Sequence, residues 1–228
     1  MFMDFLKGKR IAITGHTKGI GQEIYEICKF AGAKTVDGLS RQTGFNLLEL
    51  NGDTVINHII HEDYDIVFNH AYMPDIQHRI LKVLHTRWKN RPGKIIVNTG
   101  STAAYYPSGL PMYEQNKLRL ANYCIEAGRE FPHKNQCRVH NISLGFTNSE
   151  WTKGLDPEYL IDTYDAALLI VNMAANNDYY VSEMVVHKPY PNDDLMKKMI
   201  QTASVNGGKD MEASWQDLEN KNGSNSLQ

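Results

Sequence analysis

Cysteine is scarce in this sequence: Cys28, Cys124 and Cys137 are the only three. Their number is odd and no two stand at a metal-type spacing. Cys28 and Cys124 fall inside helix-like runs, so buried reduced thiols are expected rather than a disulfide framework or a zinc site. Long apolar runs are lacking as well. No stretch reaches the ~18 consecutive apolar residues of a membrane-spanning helix. The opening MFMDFLKGKR has neither the apolar core nor the cleavage site of an export signal. There is no sustained basic run, and the formal net charge is −2. These absences argue against nucleic acid or an anionic membrane as partner, and a soluble cytoplasmic chain is expected. No internal repeat is present, and 228 residues suit one large domain with a full core.

What the sequence does hold is alternation. IAIT at 11–14 reads as a buried strand that stops at Gly15. GIGQEIYEICKFAGAK follows, with Ile20, Ile24, Ile27 and Phe30 at helical spacing and Gly32 closing the run. Further strands are expected at 34–39, 65–69, 94–100, 138–144 and 183–187. Between them lie helices opening at Asp53 and running over 76–88, 112–131 and 157–175. Strands alternating with helices of this length predict an α/β fold, with a parallel sheet covered on both faces. From about residue 206 the chain reads NGGKDMEASWQDLENKNGSNSLQ, polar and poor in aliphatics. The expected organisation is a single domain over 1–205 and a polar tail over 206–228, mobile or folded only against a partner.

TGHTKGIG, at 14–21, ends the first strand and opens the first helix. Glycines at 15, 19 and 21 permit a tight turn and a close backbone approach to a pyrophosphate, which then meets the positive end of the helix. The spacing is neither Gly-x-Gly-x-x-Gly nor that of a Walker loop. It resembles the Thr-Gly-x-x-x-Gly-x-Gly turn of the short-chain dehydrogenase/reductase family, and the resemblance extends over about residues 9–187. It implies a Rossmann-type doubly wound sheet of about seven strands in the order 3-2-1-4-5-6-7. It also implies a nicotinamide dinucleotide as cofactor, with Gly15, Thr17, Lys18, Gly19, Ile20 and Gly21 around its phosphates.

The choice between the two nicotinamide cofactors rests on the end of the second strand, where an NAD enzyme carries a carboxylate. Here the stretch reads VDGLSRQ. Asp37 stands too early, inside the strand, and the expected position falls near Leu39 or Ser40. Arg41 follows, able to fork onto a 2′-phosphate with the Ser40 hydroxyl beside it. Lys18 is a second cation at a place similar NADP enzymes use. Together they favour NADP(H) over NAD(H). Asn46 aligns with the family's adenine-contacting Asp, and its amide can donate and accept at a base edge.

Two segments carry Tyr-x-x-x-Lys: YEICK at 25–29 and YEQNK at 113–117. The first lies on the helix after the phosphate turn and reads as an i,i+4 surface pair. The second is preceded by the strand KIIVNTGS, which places Ser101 at its C-terminal edge, twelve positions before Tyr113. A strand-end Ser followed by Tyr-x-x-x-Lys resembles the family's reaction centre, although Gly100 stands where Ser is more usual. The implied roles are Tyr113 as general acid and base, and Lys117 as the charge that favours phenolate and holds the cofactor ribose. Ser101 would donate to the substrate oxygen. NISLGFTNS, at 141–149, resembles the segment that passes the nicotinamide, with Gly145 and Thr147 as contacts and Leu144 in place of Pro.

Three departures stand out. FNHAY (68–72) replaces the family's Asn-Asn-Ala-Gly, so that Asn69 and Ala71 agree while Tyr72 occupies a position where Gly lets the ribose approach. The segment from Asn69 to Ser101 is shorter than the family's, on the helix that supplies an Asn to the proton relay; Gln77 or water would replace it. The histidines show no metal set, since His58 and His61 have no third ligand near them. The reading is an NADP(H)-dependent reductase or dehydrogenase acting on a small carbonyl or alcohol, a homodimer or homotetramer by resemblance. The alternative is a cofactor-binding sensor or assembly protein without turnover. Tyr105, Tyr106 and Trp151 flank the expected pocket, but the sequence names no substrate.

Overall fold

A computed structural model describes residues 2–130, 136–175 and 179–224, with side-chain surroundings described between 4 and 212. Phe131, where the helix expected from 112 was to end, and the chain's last four residues lie outside the described residues.

Six strands form one parallel sheet: β1 (Arg10–Thr14), β2 (Thr35–Leu39), β3 (Ile66–Asn69), β4 (Ile95–Ser101), β5 (Arg138–Leu144) and β6 (Glu183–Val186). Their order is β2-β1-β3-β4-β5-β6. A short α1 (Phe2–Leu6) precedes them; α2 (Gly19–Phe30), α3 (Asp53–Glu62), α4 (Ile76–Trp88), α5 (Pro111–Arg129) and α6 (Thr163–Ala175) cross between them, and α7 (Asp193–Ser224) closes the chain. Strand residues alternate between two cores. Ile11, Ile13, Phe68 and Val97 point to the layer holding Ile24, Ile27 and Ile170. Ala12, Val67 and Ile96 point to the layer holding Ile59, Leu84, Trp88 and Leu120. A sheet buried on both faces needs such apolar runs, and parallel strands joined by crossover helices provide the cover.

Two expectations are corrected. The resemblance implied about seven strands; among the described residues there are six, and β2 is the edge. Residues 40–52 form 3-10 turns at Arg41–Thr43 and Glu49–Gly52 instead of an outer strand. Gly44 and Gly52 take positive φ (86° and 80°), and Thr43 is the one β-branched residue between them and β2, so nothing there favours extended pairing. The helix expected over 157–175 is also divided. A 3-10 turn covers Pro157–Tyr159, and α6 begins at Thr163. Between them Ile161 pairs with the loop after β5: its N–H donates to Phe146 O (2.8 Å), and Asn148 N–H donates to Ile161 O (2.9 Å). Those loop groups gain partners that a continuous helix would have denied them.

The helix α7 runs through residue 206 without a break at the expected tail boundary. Cys28, Cys124 and Cys137 are free and buried. No helix among the described residues is long and apolar enough to cross a membrane, and no group of three metal-ligating side chains occurs there.

Candidate active site

The sheet order sets the ends of β1, β3 and β4 side by side, with the glycine turn, Tyr72 and Ser101 on or just past them. Thr14 closes β1. Its buried Oγ1 accepts from His70 N (2.9 Å) and Ala71 N (3.0 Å), lashing the β1 turn to the β3 turn. Gly15 follows with φ +76°, and a Cβ there would lie 2.9 Å from that of Ala71. A Cβ on Gly21 would lie 2.1 Å from Gly15 O, so only glycine lets α2 start this close to the turn. Lys18 caps α2 in extended conformation with no side-chain hydrogen bond to the first turn. Thr17, Lys18 and Gly19 are exposed, whereas Ile20 packs into the core and offers only its backbone. A pyrophosphate fits this cradle.

At the β2 end the Asp37 carboxylate accepts from Tyr64 O–H (2.6 Å) and is committed away from the strand terminus. His16 lies over Gly38, where a Cβ would meet its ring at 2.1 Å, and packs against Tyr25 at 5.3 Å. Tyr25 has Lys29 Nζ over its face at 5.1 Å, a surface pair on α2 remote in sequence from the β4 end. Ser40 N–H donates to Thr43 Oγ1 (3.0 Å), and Arg41 is exposed in the turn that follows. The Asn46 amide closes its own turn, accepting from Leu48 N–H (3.2 Å) and donating to Glu49 Oε1 (3.3 Å). A base-edge contact there has to compete with these two bonds.

At the β4 end, Ser101 Oγ accepts from Ala103 N–H (3.2 Å), which leaves its own proton to donate. Pro111 starts α5 in the φ it prefers, placing Tyr113 in the first turn and Lys117 one turn on. Lys117 is buried, 3% exposed, and Nζ donates to Gln77 Oε1 (2.9 Å) and Thr99 O (2.8 Å). Gln77 in turn donates through Nε2 to Asn69 O (2.8 Å) and Thr99 O (3.1 Å). Asn69 Nδ2 donates to Gln77 O (2.8 Å) and Asn98 Oδ1 (2.8 Å). Asn69, Gln77, Thr99 and Lys117 are thus one network, and the shortened α4 grips the lysine directly.

Burial lowers Lys117 to about 7. Burial also pushes the Tyr113 phenol up to about 12, with a hydrogen bond to the Ser101 side chain pulling the other way. The lysine does not prevail over burial, contrary to the role expected for it. His70 is driven to about 4 by burial first and by Lys117 second, so its imidazole is neutral, with Nδ1 3.0 Å from Thr99 Oγ1.

Tyr113 packs edge-on against Tyr72 (4.8 Å) and Trp151 (5.0 Å). Lys117 Nζ stands over both the Tyr72 ring (5.2 Å) and the Tyr113 ring (5.6 Å). The Tyr72 hydroxyl is buried without a hydrogen-bond partner. A ligand reaching from the Gly15 turn to Tyr113 must cross the β3 end, where Tyr72 stands. The phosphate end of a dinucleotide therefore fits as built, and the nicotinamide end requires Tyr72 to turn aside. Neither this ring stack nor the α7 contacts to Trp151 had a signal beyond the odd Tyr in FNHAY.

Gly100 has its reason in the structure: a Cβ would lie 2.5 Å from Asn141 Nδ2 and 2.7 Å from Ser143 Oγ, so the usual serine does not fit. Gly145 and Thr147 line a cavity of about 370 Å³ that has Tyr113, Ala103 and Trp151 on its walls. A more open hollow of about 560 Å³ on α4 and α5 shares none of those residues. Its Arg79 and Arg119 are paired with Asp53 and Asp75.

No protein-family profile matches the chain, and no curated protein matches it. Solved structures do. A short-chain dehydrogenase from Burkholderia cenocepacia J2315, in complex with NADP, aligns with TM-score 0.65 at 16% identity, covering 80% of this chain and 97% of that one. A second such dehydrogenase from the same organism, also with NADP, aligns at 0.62 and 16%, covering 93% and 98%. An NADH-dependent reductase, A1-R′, complexed with NAD, aligns at 0.57 and 17%, covering 82% and 98%. The chain has the fold of the short-chain dehydrogenases.

Proposed function

We propose that the chain is a compact short-chain dehydrogenase/reductase, a soluble cytoplasmic oxidoreductase that interconverts a carbonyl and an alcohol with NADP(H) preferred over NAD(H). The observation that carries this is the meeting of Ser101, Tyr113 and Lys117 at the β4 end, beside a half-open cavity, next to β3 and two strands over from the glycine turn of β1. The neighbours' NADP and NAD complexes support a nicotinamide cofactor, which when bound supplies or accepts the hydride. Lys18 and Arg41 support the preference for its 2′-phosphorylated form.

The chain's own residues handle the proton. With its phenol pushed to about 12, Tyr113 holds its proton at neutral pH and is ready to give it to a carbonyl oxygen. Ser101 steadies the same oxygen as negative charge develops. In the reverse direction Tyr113 has to lose that proton, so reduction is the direction favoured near neutrality and oxidation gains as pH rises. Lys117, held by Gln77 and Thr99 and lowered to about 7 by burial, carries its ammonium against the two phenol rings below that pH and loses it above. The same reading includes a homodimer or homotetramer paired through α5, which light scattering would report.

Tyr113→Phe is expected to abolish turnover of any substrate while NADPH binding stays within about twofold. Wild-type turnover by that variant would sink the assignment. A second reading, cofactor binding without turnover, is favoured by Tyr72 lying on Lys117 and Tyr113. It predicts tight NADPH binding and no reduction across ketones, aldehydes, quinones and pteridines.

A further inference from the structure

The cavity beside Tyr113 is enclosed by the loop after β4, the loop after β5 and the first turns of α7. None of its lining residues is Lys, Arg, Asp or Glu. Tyr106, Leu110, Phe146, Met196 and Ile200 are among its apolar lining. Several of its hydroxyls are already committed. Thr152 Oγ1 donates to Thr147 O (2.6 Å), Ser204 Oγ to Gly109 O (3.3 Å), and Ser108 Oγ to Glu114 Oε1 (2.9 Å). His187, the one histidine on the lining, has Nδ1 3.2 Å from Lys188 O and stacks on Tyr190.

Two carboxylates touch the back of this wall, and the Lys117 ammonium stands behind the Tyr113 ring (5.6 Å), held there by Gln77 Oε1 and Thr99 O. Glu114 takes the Ser108 N–H (2.6 Å) as well as its hydroxyl, and Asp210 of α7 accepts from Trp151 Nε1 (2.9 Å). Lys188, adjacent to the rim, sends Nζ to Glu158 O instead (2.9 Å). An anion brought into the cavity would lose part of its water and find no cation on the lining, with Lys117 screened by the Tyr113 ring and two carboxylates behind the wall. Burying an ion without a partner is among the costliest events in a protein interior. An apolar body costs nothing of the kind and gains from the aromatic walls.

We propose that this cavity takes uncharged, largely apolar carbonyl compounds and their alcohols, with aryl alkyl ketones as the fitting class, and turns away carboxylates and phosphates. The inference rests on the hydride-transfer reading only for the carbonyl; the selectivity belongs to the cavity. Calorimetric titration of the full chain without cofactor, using para-isopropylacetophenone and para-acetylbenzoate, tests it. These two ketones have similar outlines and differ in charge. The neutral ketone is expected to bind at least ~10-fold more tightly. A smaller ratio, an acid that binds as well, or no binding of either ketone overturns the proposal.

Met196→Arg, on a side chain already 37% exposed, adds a guanidinium at the wall and is expected to tighten the acid at least ~5-fold. An unchanged acid affinity would place binding elsewhere and overturn the proposal too. Adding NADPH to the same mixtures separates the two readings. Selective binding of the neutral ketone without reduction keeps the cavity assignment and sinks hydride transfer. Reduction of the acid in preference does the reverse.

Discussion

Gln77 contributes a neutral amide to a lysine that a carboxylate would have kept charged. With Gln77 Oε1 and Thr99 O as its acceptors, burial decides the Lys117 titration. Replacing Gln77 by Leu leaves the ammonium one acceptor short and removes the two donors that reach Asn69 O and Thr99 O. A loss of ~1–3 kcal/mol is expected in urea unfolding, the usual cost of stripping partners from buried polar groups. A change under ~0.5 kcal/mol would mean the network holds nothing. Tyr72 is the opposite case, a side chain whose removal should help. Tyr72→Gly gives up ring packing against Tyr113 and Trp151 and so loses stability. It clears the path over the β3 end, and NADPH is expected to bind at least ~5-fold more tightly by calorimetry. Unchanged or weaker binding would show that Tyr72 does not stand in the cofactor's way.

At the scale of elements, β1, β3, β4 and β5 were legible because each is a short apolar run buried on both faces, while the edge strands β2 and β6 are only partly buried. The seventh was borrowed from a resemblance, and the segment after Leu39 has too few β-formers to supply it. The meeting of Ser101, Tyr113 and Lys117 was legible because they are tied by chain order, strand end to helix start. Tyr72 over Lys117 was not, since side-chain direction past a strand end follows from packing with distant partners. The helix α7 hid for a related reason. Its polar sequence from residue 206 reads as a tail, yet the helix is continuous through that point and Asn206 Nδ2 donates to Trp151 O (3.2 Å). Gly207 lies so close to Trp151 that a Cβ would stand 2.9 Å from the indole. Gly207→Val is therefore expected to lift α7 from Trp151, raising amide hydrogen exchange across 193–212 several-fold while the strands keep their protection. Equal exchange in both proteins would mean that α7 does not depend on this contact.

Across the whole molecule, buried bases and buried thiols set opposite slopes on stability against pH. His70 and His140 fall to about 4 on folding, from an ordinary 6.5. Between those values the unfolded chain binds their protons and the folded chain does not, so stability falls as pH drops from 6.5 toward 4. Lys117 acts in the same direction higher up: about 7 folded against 10.5 unfolded, so stability rises with pH above 7. The thiols reverse the trend. Cys28 and Cys137 rise to about 12 and Cys124 rises as well, from an ordinary 9.0, so above that pH the unfolded chain alone sheds their protons and stability falls. A maximum near pH 9 follows, with Lys117 the dominant source of the climb from 7 to 9. That climb is on the order of 2 kcal/mol, from ~1.4 kcal/mol per pH unit for one proton. Urea unfolding at intervals across this range checks it, alongside Lys117→Met, which removes the titrating group but keeps an unbranched stem in place. The variant is expected to show no climb from pH 7 to 9, only the onset of the thiols' fall near 9, whatever its absolute stability. If it climbed as steeply as the wild type, the buried ammonium at the reaction centre would not be the group that loses its proton.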